Sequence, residues 1–229
     1  MQAFSRVKNL IGQNALNKLQ TSSVAIFGVG GVGGFVAEAL VRSGIGKIAV
    51  FDNDKVDITN LNRQIIATDN TVGSDKVEVI KERLLSINKN LKIQTFNVFY
   101  LPENANQYDL SEYDYIVDAV DTVSAKLEII SRAKTLNKPV ISSMGTAGKL
   151  EIEKLKVGFV EDTKGCPLAR VMRRELKKRG IEKVKVVYSE EGASAQENTL
   201  DRTPPSMIFV PATAGLMIAR EVVLDLIKG

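Results

Sequence analysis

Apolar runs and periodically spaced apolar positions alternate along the first 145 residues. Short continuous apolar runs predict buried strands, whereas apolar residues at every third or fourth position predict amphipathic helices. The predicted strands cover residues 23–28, 47–52, 92–98, 113–120 and 139–145, and the predicted helices cover residues 4–19, 32–44, 74–88 and 123–137. Because strands and helices alternate here, we predict an α/β fold with a Rossmann-like, doubly wound and mostly parallel sheet.

The pattern changes after residue 145, where strands no longer alternate with helices. One or two strands are predicted in residues 150–162, a helix in 166–180, a short strand in 183–189, a polar loop in 190–206 and a closing helix in 215–229. We therefore expect a single domain, residues 1–229. Its Rossmann-like core would occupy residues 1–146, and a basic helix with antiparallel strands in residues 147–229 would extend the sheet.

The composition excludes several classes of chemistry. The chain has 229 residues, no histidine and one cysteine, Cys166. It therefore cannot form an internal disulfide, a CxxC zinc site, a histidine-ligated metal site or a Ser-His-Asp triad. We find neither a signal peptide nor an apolar stretch suited to a membrane span, so we expect a cytoplasmic protein.

The positive charge is concentrated in one segment. Nine basic and two acidic residues lie between Lys164 and Lys185, although the whole chain carries a formal charge of only +4. A polyanion such as an RNA backbone would bind such a surface, although charge runs also occur on helix faces that only contact water. The residues predicted to contact such a polyanion lie on the basic helix: Arg170, Arg173, Arg174, Lys177 and Lys178.

A glycine-rich segment follows the first predicted strand. Gly28, Gly30 and Gly33 form a G-x-G-x-x-G pattern that leads into a helix, where backbone amides can approach phosphates. Asp52 follows 19 residues after Gly33, at the end of the second strand, where a carboxylate can bind a ribose hydroxyl. The glycines suit either NAD or ATP, but together with Asp52 they favour an NAD enzyme. A glycine turn that only permits close packing is a third interpretation.

The next segment favours ATP over NAD. Arg63 and Lys76 follow the second strand, together with Asn60 and Gln64, and cations at this place would neutralise a triphosphate. Farther along the chain, Asp118 and Asp121 end the fourth strand. Mg²⁺ needs only one or two protein carboxylates in addition to phosphate oxygens. The sequence thus predicts a site for ATP with magnesium.

In combination, these motifs resemble the ubiquitin-activating-enzyme-like (ThiF/MoeB) superfamily, whose members adenylate a carboxylate with ATP. The resemblance rests on "GVGGVGG", "DNDKVDITNLNRQ", Lys76 and "VDAVDT". It implies a ribose contact for Asp52, phosphate contacts for Asn60, Arg63 and Lys76, and a Mg²⁺ contact for Asp121 rather than Asp118. The remaining nucleotide-site residues that it implies are Gly28, Gly30, Gly31, Gly33, Asp54 and Gln64.

The resemblance also implies a homodimer. Arg6, in "FSR", is similar to an arginine that dimers of this superfamily lend across the subunit interface. Catalytic roles are therefore expected for Arg6, Arg63, Lys76 and Asp121. Cys166 is a poor candidate for a nucleophile, because no histidine is available to activate it.

The second half of the chain is similar to the tRNA threonylcarbamoyladenosine dehydratase branch of the superfamily. The segments that carry this similarity are "KTLNKPVISSMGTAGKL", "CPLARVMRRELKKRGIEKVKVVYSEE" and "IFVPATAGLMIAREVV". The branch implies ATP, Mg²⁺ and tRNA as ligands, and it leaves open a monovalent cation and a sulfurtransferase-type protein partner. Two alternatives stay open: an adenylating activator of a sulfur-carrier or ubiquitin-like protein, and a more distant one, an NAD-binding oxidoreductase.

Overall fold

A computed structural model describes residues 2–192 and 204–228 of the chain. Seven strands form one sheet: β1 Ser23–Phe27, β2 Lys47–Phe51, β3 Lys92–Phe96, β4 Tyr115–Asp118, β5 Val140–Ser143, β6 Leu155–Phe159 and β7 Lys185–Ser189. The α-helices are α1 Ser5–Ile11, α2 Gln13–Thr21, α3 Gly33–Ser43, α4 Lys76–Ile87, α5 Val123–Thr135, α6 Pro167–Lys178 and α7 Phe209–Lys228. Part of the predicted loop 190–206, residues 193–203, lies outside the described residues.

The sheet has the doubly wound topology that the alternating pattern predicts. Its strand order is β3-β2-β1-β4-β5-β7-β6, and every pair is parallel except β6 with β7. The chain thus runs outward from β1 to β3 and then returns to add β4 on the other side. This change of direction creates a crevice at the carboxyl ends of β1 and β4, where ligands bind in folds of this kind. The predicted fold class is confirmed.

Helices cover both faces of the sheet. Alternate residues of β1 belong to two separate cores: Val24 and Ile26 pack with α3, α4 and α7, whereas Ala25 and Phe27 pack with α5 and α6. All four side chains are fully buried. A strand buried on both faces reads as a continuous apolar run, which is why β1 is recognisable in the sequence.

The first predicted helix, residues 4–19, is divided in the structure. Gly12 has a φ of 86° and separates α1 from α2. A glycine adopts this left-handed conformation readily, and the backbone of a right-handed helix cannot continue through it. The apolar periodicity extends across the break, so the prediction of one continuous helix was wrong.

The last helix begins earlier than the sequence predicts. It starts at Phe209 rather than at residue 215 and includes Pro211 in its first turn. Proline is tolerated there because the first amides of a helix have no partner within the helix. The predicted antiparallel extension of the sheet is confirmed for β6, whereas β7 is parallel to β5. Among the described residues, no helix is long and apolar enough to cross a membrane.

Candidate active site

A cleft of about 480 Å³ opens at the carboxyl ends of the central strands. Its wall includes the glycine segment after β1, the ends of β2 and β4, the segment that follows β5, and Pro211 of α7. The predicted nucleotide-site residues that line it are Gly28, Gly30, Gly31, Asp52, Asp54, Asn60, Arg63, Gln64, Lys76 and Asp121. The structure therefore brings residues separated by more than ninety positions of sequence into one site.

The glycine segment turns tightly against the end of β4. Gly28 has a φ of 83°, and a Cβ there would lie 2.8 Å from the Ala119 carbonyl oxygen. Gly33, the first residue of α3, lies so close to the Gly28 carbonyl that a Cβ would collide with it. Both positions therefore exclude a side chain. The amides at the start of α3 are thus held next to the cleft, where they can bind an anion.

Asp52 connects the glycine segment to the segment after β2. Its carboxylate accepts hydrogen bonds from the backbone amides of Val29, at 2.7 Å, and Asp54, at 2.9 Å. Burial raises the pKa of Asp52 above its ordinary value, while these amides and nearby Lys76 act in the opposite direction. Each oxygen keeps a free lone pair, so the predicted ribose contact is compatible with these bonds.

The two predicted phosphate-binding cations have different surroundings. Lys76 is buried at the start of α4, and its ammonium forms a 2.7 Å ion pair with exposed Asp54. Arg63 donates hydrogen bonds to the Thr59 carbonyl and the Asn62 side chain, both neutral acceptors. The positive charge of Arg63 is thus not compensated by a carboxylate within the described part of the chain.

Asn60 and Gln64 shape the turn that carries Arg63. The Asn60 side chain accepts a hydrogen bond from the Asp57 amide, and its carbonyl accepts from the amides of Arg63 and Gln64. Gln64 is buried, and its side-chain oxygen has no hydrogen-bond partner among the described residues. An orphaned buried acceptor on a cleft wall suits a site that binds a polar ligand.

The two predicted metal-site aspartates are not equivalent. Asp121 is exposed in the cleft, and the hydrogen bond that it accepts comes from the adjacent Thr122 hydroxyl, at 3.4 Å. Asp118 is fully buried and forms a 2.9 Å ion pair with Lys126, which is also fully buried. Asp121 is thus the member of the pair that can contact a ligand in the cleft.

The donor set suits a metal that arrives with a nucleotide. Within residues 2–192 and 204–228, no cluster of three or more cysteine or acidic side chains could hold an ion by itself. A single carboxylate in a cleft that is also lined by Arg63 and Lys76 fits Mg²⁺, which keeps several waters and takes its other ligands from phosphates. Asp121 is the residue that would hold it.

Comparison with known proteins agrees with this geometry. The family model described as the ThiF family matches residues 4–224. The chain belongs to the ThiF family. One relative, tRNA threonylcarbamoyladenosine dehydratase of Bacillus subtilis, is 38% identical over 243 residues that cover 100% of this chain and 96% of the relative. The dehydratase of Escherichia coli is 36% identical over 77% of this chain and 66% of its own length.

A solved structure extends the comparison to three dimensions. The crystal structure of the E. coli dehydratase in complex with ATP has a TM-score of 0.92 with this chain, at 31% identity, and the match covers 99% of this chain and 94% of the other. The recognition of the ThiF superfamily from sequence motifs is therefore confirmed. The likeness includes the strands and helices after β5 as well as those before them.

The basic helix α6 begins at the cleft and leads away from it. Leu168, in its first turn, lines the cleft, whereas none of the five predicted tRNA contacts does. Of these five, the structure leaves four exposed: Arg170, Arg174, Lys177 and Lys178. Arg173 is partly buried and donates to the carbonyl and hydroxyl of Thr163, which ties α6 to the preceding turn.

Glu175 forms ion pairs with two basic residues of α6 and with Arg179, which directly follows the helix. It pairs with Arg174 at 3.1 Å, Lys178 at 2.9 Å and Arg179 at 3.3 Å. The hydrogen bond from Lys178, followed by those of the two arginines, lowers the pKa of Glu175 to about 2. Three positive charges around one carboxylate still leave a net positive surface. Arg170 and Lys177 form no ion pair within the described part of the chain.

Arg6 does not reach the cleft of its own chain. It is exposed on α1 and is not among the residues of the cleft wall. Its predicted role therefore depends on a second copy of the chain. Cys166 is buried behind the cleft, where its sulfur lies 3.5 Å from the position that a Cβ on Gly145 would occupy.

Sequence reasoning did not identify every residue of the wall. The segment after β5 contributes Gly145, Thr146 and Ala147, and the segment after β3 contributes Phe99 and Tyr100. The signal for both was available, because each segment follows the carboxyl end of a predicted parallel strand. Lys126 was also missed. A lysine placed three and four positions before the buried Ile129 and Ile130 on a helix is expected to share their face.

Proposed function

We propose that this chain is an ATP-dependent tRNA threonylcarbamoyladenosine dehydratase. It adenylates the carboxylate of N6-threonylcarbamoyladenosine in tRNA and promotes cyclisation of that group, with release of pyrophosphate and AMP. The observation that carries the proposal is the 38% identity to the Bacillus subtilis dehydratase along the whole chain. The ATP-bound E. coli relative, with its TM-score of 0.92, supports the same function.

The first chemical step suits the charges of the cleft. A carboxylate oxygen of the nucleoside attacks the α-phosphorus of ATP, and the bond to the β-phosphate breaks to release pyrophosphate. Arg63, Lys76 and the amides at the start of α3 stabilise the negative charge that develops on the phosphates. Mg²⁺ held by Asp121 would supply further charge neutralisation to the phosphates. Catalysis of this kind consists mainly of positioning and electrostatics.

The second step needs no nucleophile from the protein. A nucleophile within the same modified base attacks the acyl carbon, the bond to AMP breaks, and the ring closes, so the nucleoside has lost one water in total. The absence of histidine and the burial of Cys166 agree with a reaction that uses the substrate's own nucleophile. We propose a packing role for Cys166.

The finer features of the proposal concern partners. The tRNA backbone would lie along the exposed cations of α6, since that helix begins beside the cleft. We propose a homodimer in which Arg6 of one protomer completes the site of the other. A sulfurtransferase-type partner and a monovalent cation enter the proposal through the family resemblance alone, and location in the cytoplasm enters it as the expectation from the sequence.

The test is a direct assay of the nucleoside. Purified protein is incubated with ATP, Mg²⁺ and tRNA that carries threonylcarbamoyladenosine, and the digested nucleosides are analysed by mass spectrometry. We expect an ATP-dependent product lighter by one water, formed together with AMP. A preparation that binds ATP but yields no such product would contradict the proposal.

The same assay bears on the two alternatives. A carrier-protein activator would form an acyl adenylate on a protein C-terminus and leave the tRNA unchanged. An oxidoreductase would bind NAD in preference to ATP. The cations Arg63 and Lys76 in the cleft favour a triphosphate over NAD, and the identity to dehydratases along the whole chain favours tRNA over a carrier protein.

A further inference from the structure

A buried ion pair lies directly behind the cleft and has no part in the chemistry described so far. Lys126 of α5 and Asp118 at the end of β4 are both fully buried and lie 2.9 Å apart. The Ser142 hydroxyl of β5 donates a hydrogen bond to the same carboxylate. Burying two charges has a large desolvation cost, and apolar residues often replace such pairs without loss of stability. Stability alone is thus a weak explanation for the pair.

Both members of the pair form hydrogen bonds with the backbone of Val120. The Val120 carbonyl accepts a hydrogen bond from the Lys126 ammonium at 2.9 Å, and the Val120 amide donates to Asp118 at 3.3 Å. Both backbone groups of Val120 are therefore fixed by buried charges. The next residue is Asp121, whose amide belongs to the same peptide unit as the Val120 carbonyl.

These two hydrogen bonds constrain the direction of the backbone at Asp121, just after the end of β4. The peptide bond is trans, so the Asp121 amide hydrogen points opposite to the Val120 carbonyl oxygen, away from Lys126. The same short segment packs against the glycine turn, since the Ala119 amide donates to the Phe27 carbonyl at 2.8 Å. Lys126 thus fixes the peptide unit that contains the Asp121 amide, close to the glycine turn.

We propose that Lys126, with Asp118, is a positioning residue that holds the Asp121 carboxylate in place to bind the divalent cation of metal–ATP. This inference rests on the proposed function only in so far as that function assigns Mg²⁺ to Asp121. Groups that orient a metal ligand commonly change metal affinity 10- to 100-fold when removed. A role limited to folding predicts no such change in a folded variant.

The test removes both charges together, so that neither is left buried without its partner. The Asp118→Asn/Lys126→Met double variant is compared with Glu128→Gln/Arg132→Met, which removes another ion pair of α5 that does not touch Val120. Binding of Mn²⁺ to the protein–ATP complex is measured by the electron paramagnetic resonance signal of free Mn²⁺. We expect the first variant to bind Mn²⁺ about 10-fold more weakly and the control to match the wild type.

Two further variants test the metal ligand itself and cover the case in which the double variant does not fold. Asp121→Asn should weaken Mn²⁺ binding at least as much as the double variant; an Asp121→Asn protein with wild-type affinity overturns the inference. If the double variant does not fold, Ser142→Ala removes one contact of Asp118 without unbalancing charge, and we expect binding about 3-fold weaker. Wild-type Mn²⁺ affinity in the folded double variant also overturns the inference. If the double variant does not fold, wild-type affinity in Ser142→Ala has the same consequence.

The readout is independent of tRNA. A wild-type protein that binds Mn²⁺ with ATP but does not dehydrate the nucleoside would contradict the proposed function and leave the role of Lys126 intact. Conversely, a dehydratase whose folded double variant binds Mn²⁺ normally would keep its function and lose this role for Lys126.

Discussion

At the end of β4, two aspartates three positions apart have opposite surroundings. Asp118 is enclosed by Lys126 and Ser142, whereas Asp121 faces the cleft. The same contrast separates the two phosphate-site cations, since Lys76 already has a carboxylate partner and Arg63 has none among the described residues. At the scale of single residues, the function therefore depends on which charges remain free to meet a ligand.

Lys76→Met should abolish most of the turnover without unfolding the protein. The loss of one preorganised group that stabilises transition-state charge lowers turnover about 100- to 1,000-fold. The Asp54 carboxylate left behind is exposed and remains solvated. The matched control is Lys55→Met, since Lys55 pairs with Asp75 on the same segment but does not line the cleft.

Turnover is measured as AMP formed per enzyme, and folding by thermal denaturation. The role of Lys76 would be refuted by a Lys76→Met enzyme that turns over as fast as Lys55→Met.

At the scale of elements, two segments place groups that can bind a ligand at or beside the cleft. The turn between β1 and α3 brings the first amides of a helix to the cleft, and it does so because Gly28 and Gly33 lack side chains. Helix α6 begins beside the cleft and presents cations along its exposed face. The first element is expected to bind phosphate, and the second to bind the nucleic-acid backbone.

Gly28→Ala should destabilise the turn more than the backbone conformation alone explains. Gly73 has nearly the same φ, 86° against 83°, but nothing within 4 Å of its Cβ position. Alanine at either site has the cost of a left-handed backbone, about 1 kcal/mol, and at residue 28 it also meets the Ala119 carbonyl. Chemical denaturation should show Gly28→Ala less stable than Gly73→Ala by about 1–3 kcal/mol.

Equal free energies of unfolding for these two variants would mean that the turn relaxes without cost. The close packing of the Gly28 turn would then have no role in setting the position of the α3 amides.

Charge reversal on α6 should weaken tRNA binding. The Arg170→Glu/Lys177→Glu variant changes two exposed cations without described ion-pair partners, and the Lys18→Glu/Lys89→Glu control makes the same change in net charge on α2 and after α4. If both α6 residues contact phosphates, the slope of log Kd against log salt concentration should fall by about two for the α6 variant. Binding is measured by filter retention of labelled tRNA at several salt concentrations.

A control variant that loses as much affinity as the α6 variant would assign the effect to net charge. In that case α6 would not be the tRNA-binding surface.

At the scale of the whole molecule, the cleft of one chain lacks one predicted catalytic residue. Ten of the predicted nucleotide-site residues line a single cleft, whereas Arg6 lies on α1, away from it. A second protomer related by a twofold axis would place the same helix on each partner. The completeness of the site is thus a property of the assembly that we propose.

Mixing two inactive variants tests this arrangement. Arg6→Ala chains keep Lys76, and Lys76→Met chains keep Arg6, so a mixed dimer would contain one complete site if Arg6 acts across the interface. Random exchange of subunits should then restore about one quarter of wild-type activity. The measurement is turnover after co-refolding of equal amounts of the two proteins. If mixed dimers form but activity does not recover, a role for Arg6 in the site of the partner protomer is contradicted.

The sequence by itself determined the order of strands and helices and the glycine turn, and it predicted the residues that we propose for the nucleotide site. These features depend on short-range rules: buried strands are continuously apolar, as in β1, and Gly28 and Gly33 follow a strand at fixed spacing. The same rules missed the helix break at Gly12, because the apolar periodicity continues through it. They also placed the start of α7 too late, after Pro211, although this proline lies in the first turn of the helix.

Only the tertiary structure decided which charges are free. The sequence singled out Asp118 and Asp121 as candidate Mg²⁺ ligands and Arg173 as a candidate RNA contact, and it left Lys126 unassigned. Whether each of these charges is paired depends on neighbours that are distant in the chain or on another element. Asp118 is neutralised by a lysine of α5, and Arg173 is held by a turn ten residues earlier. Electrostatic pairing is a property of three-dimensional proximity, and local sequence patterns do not encode it.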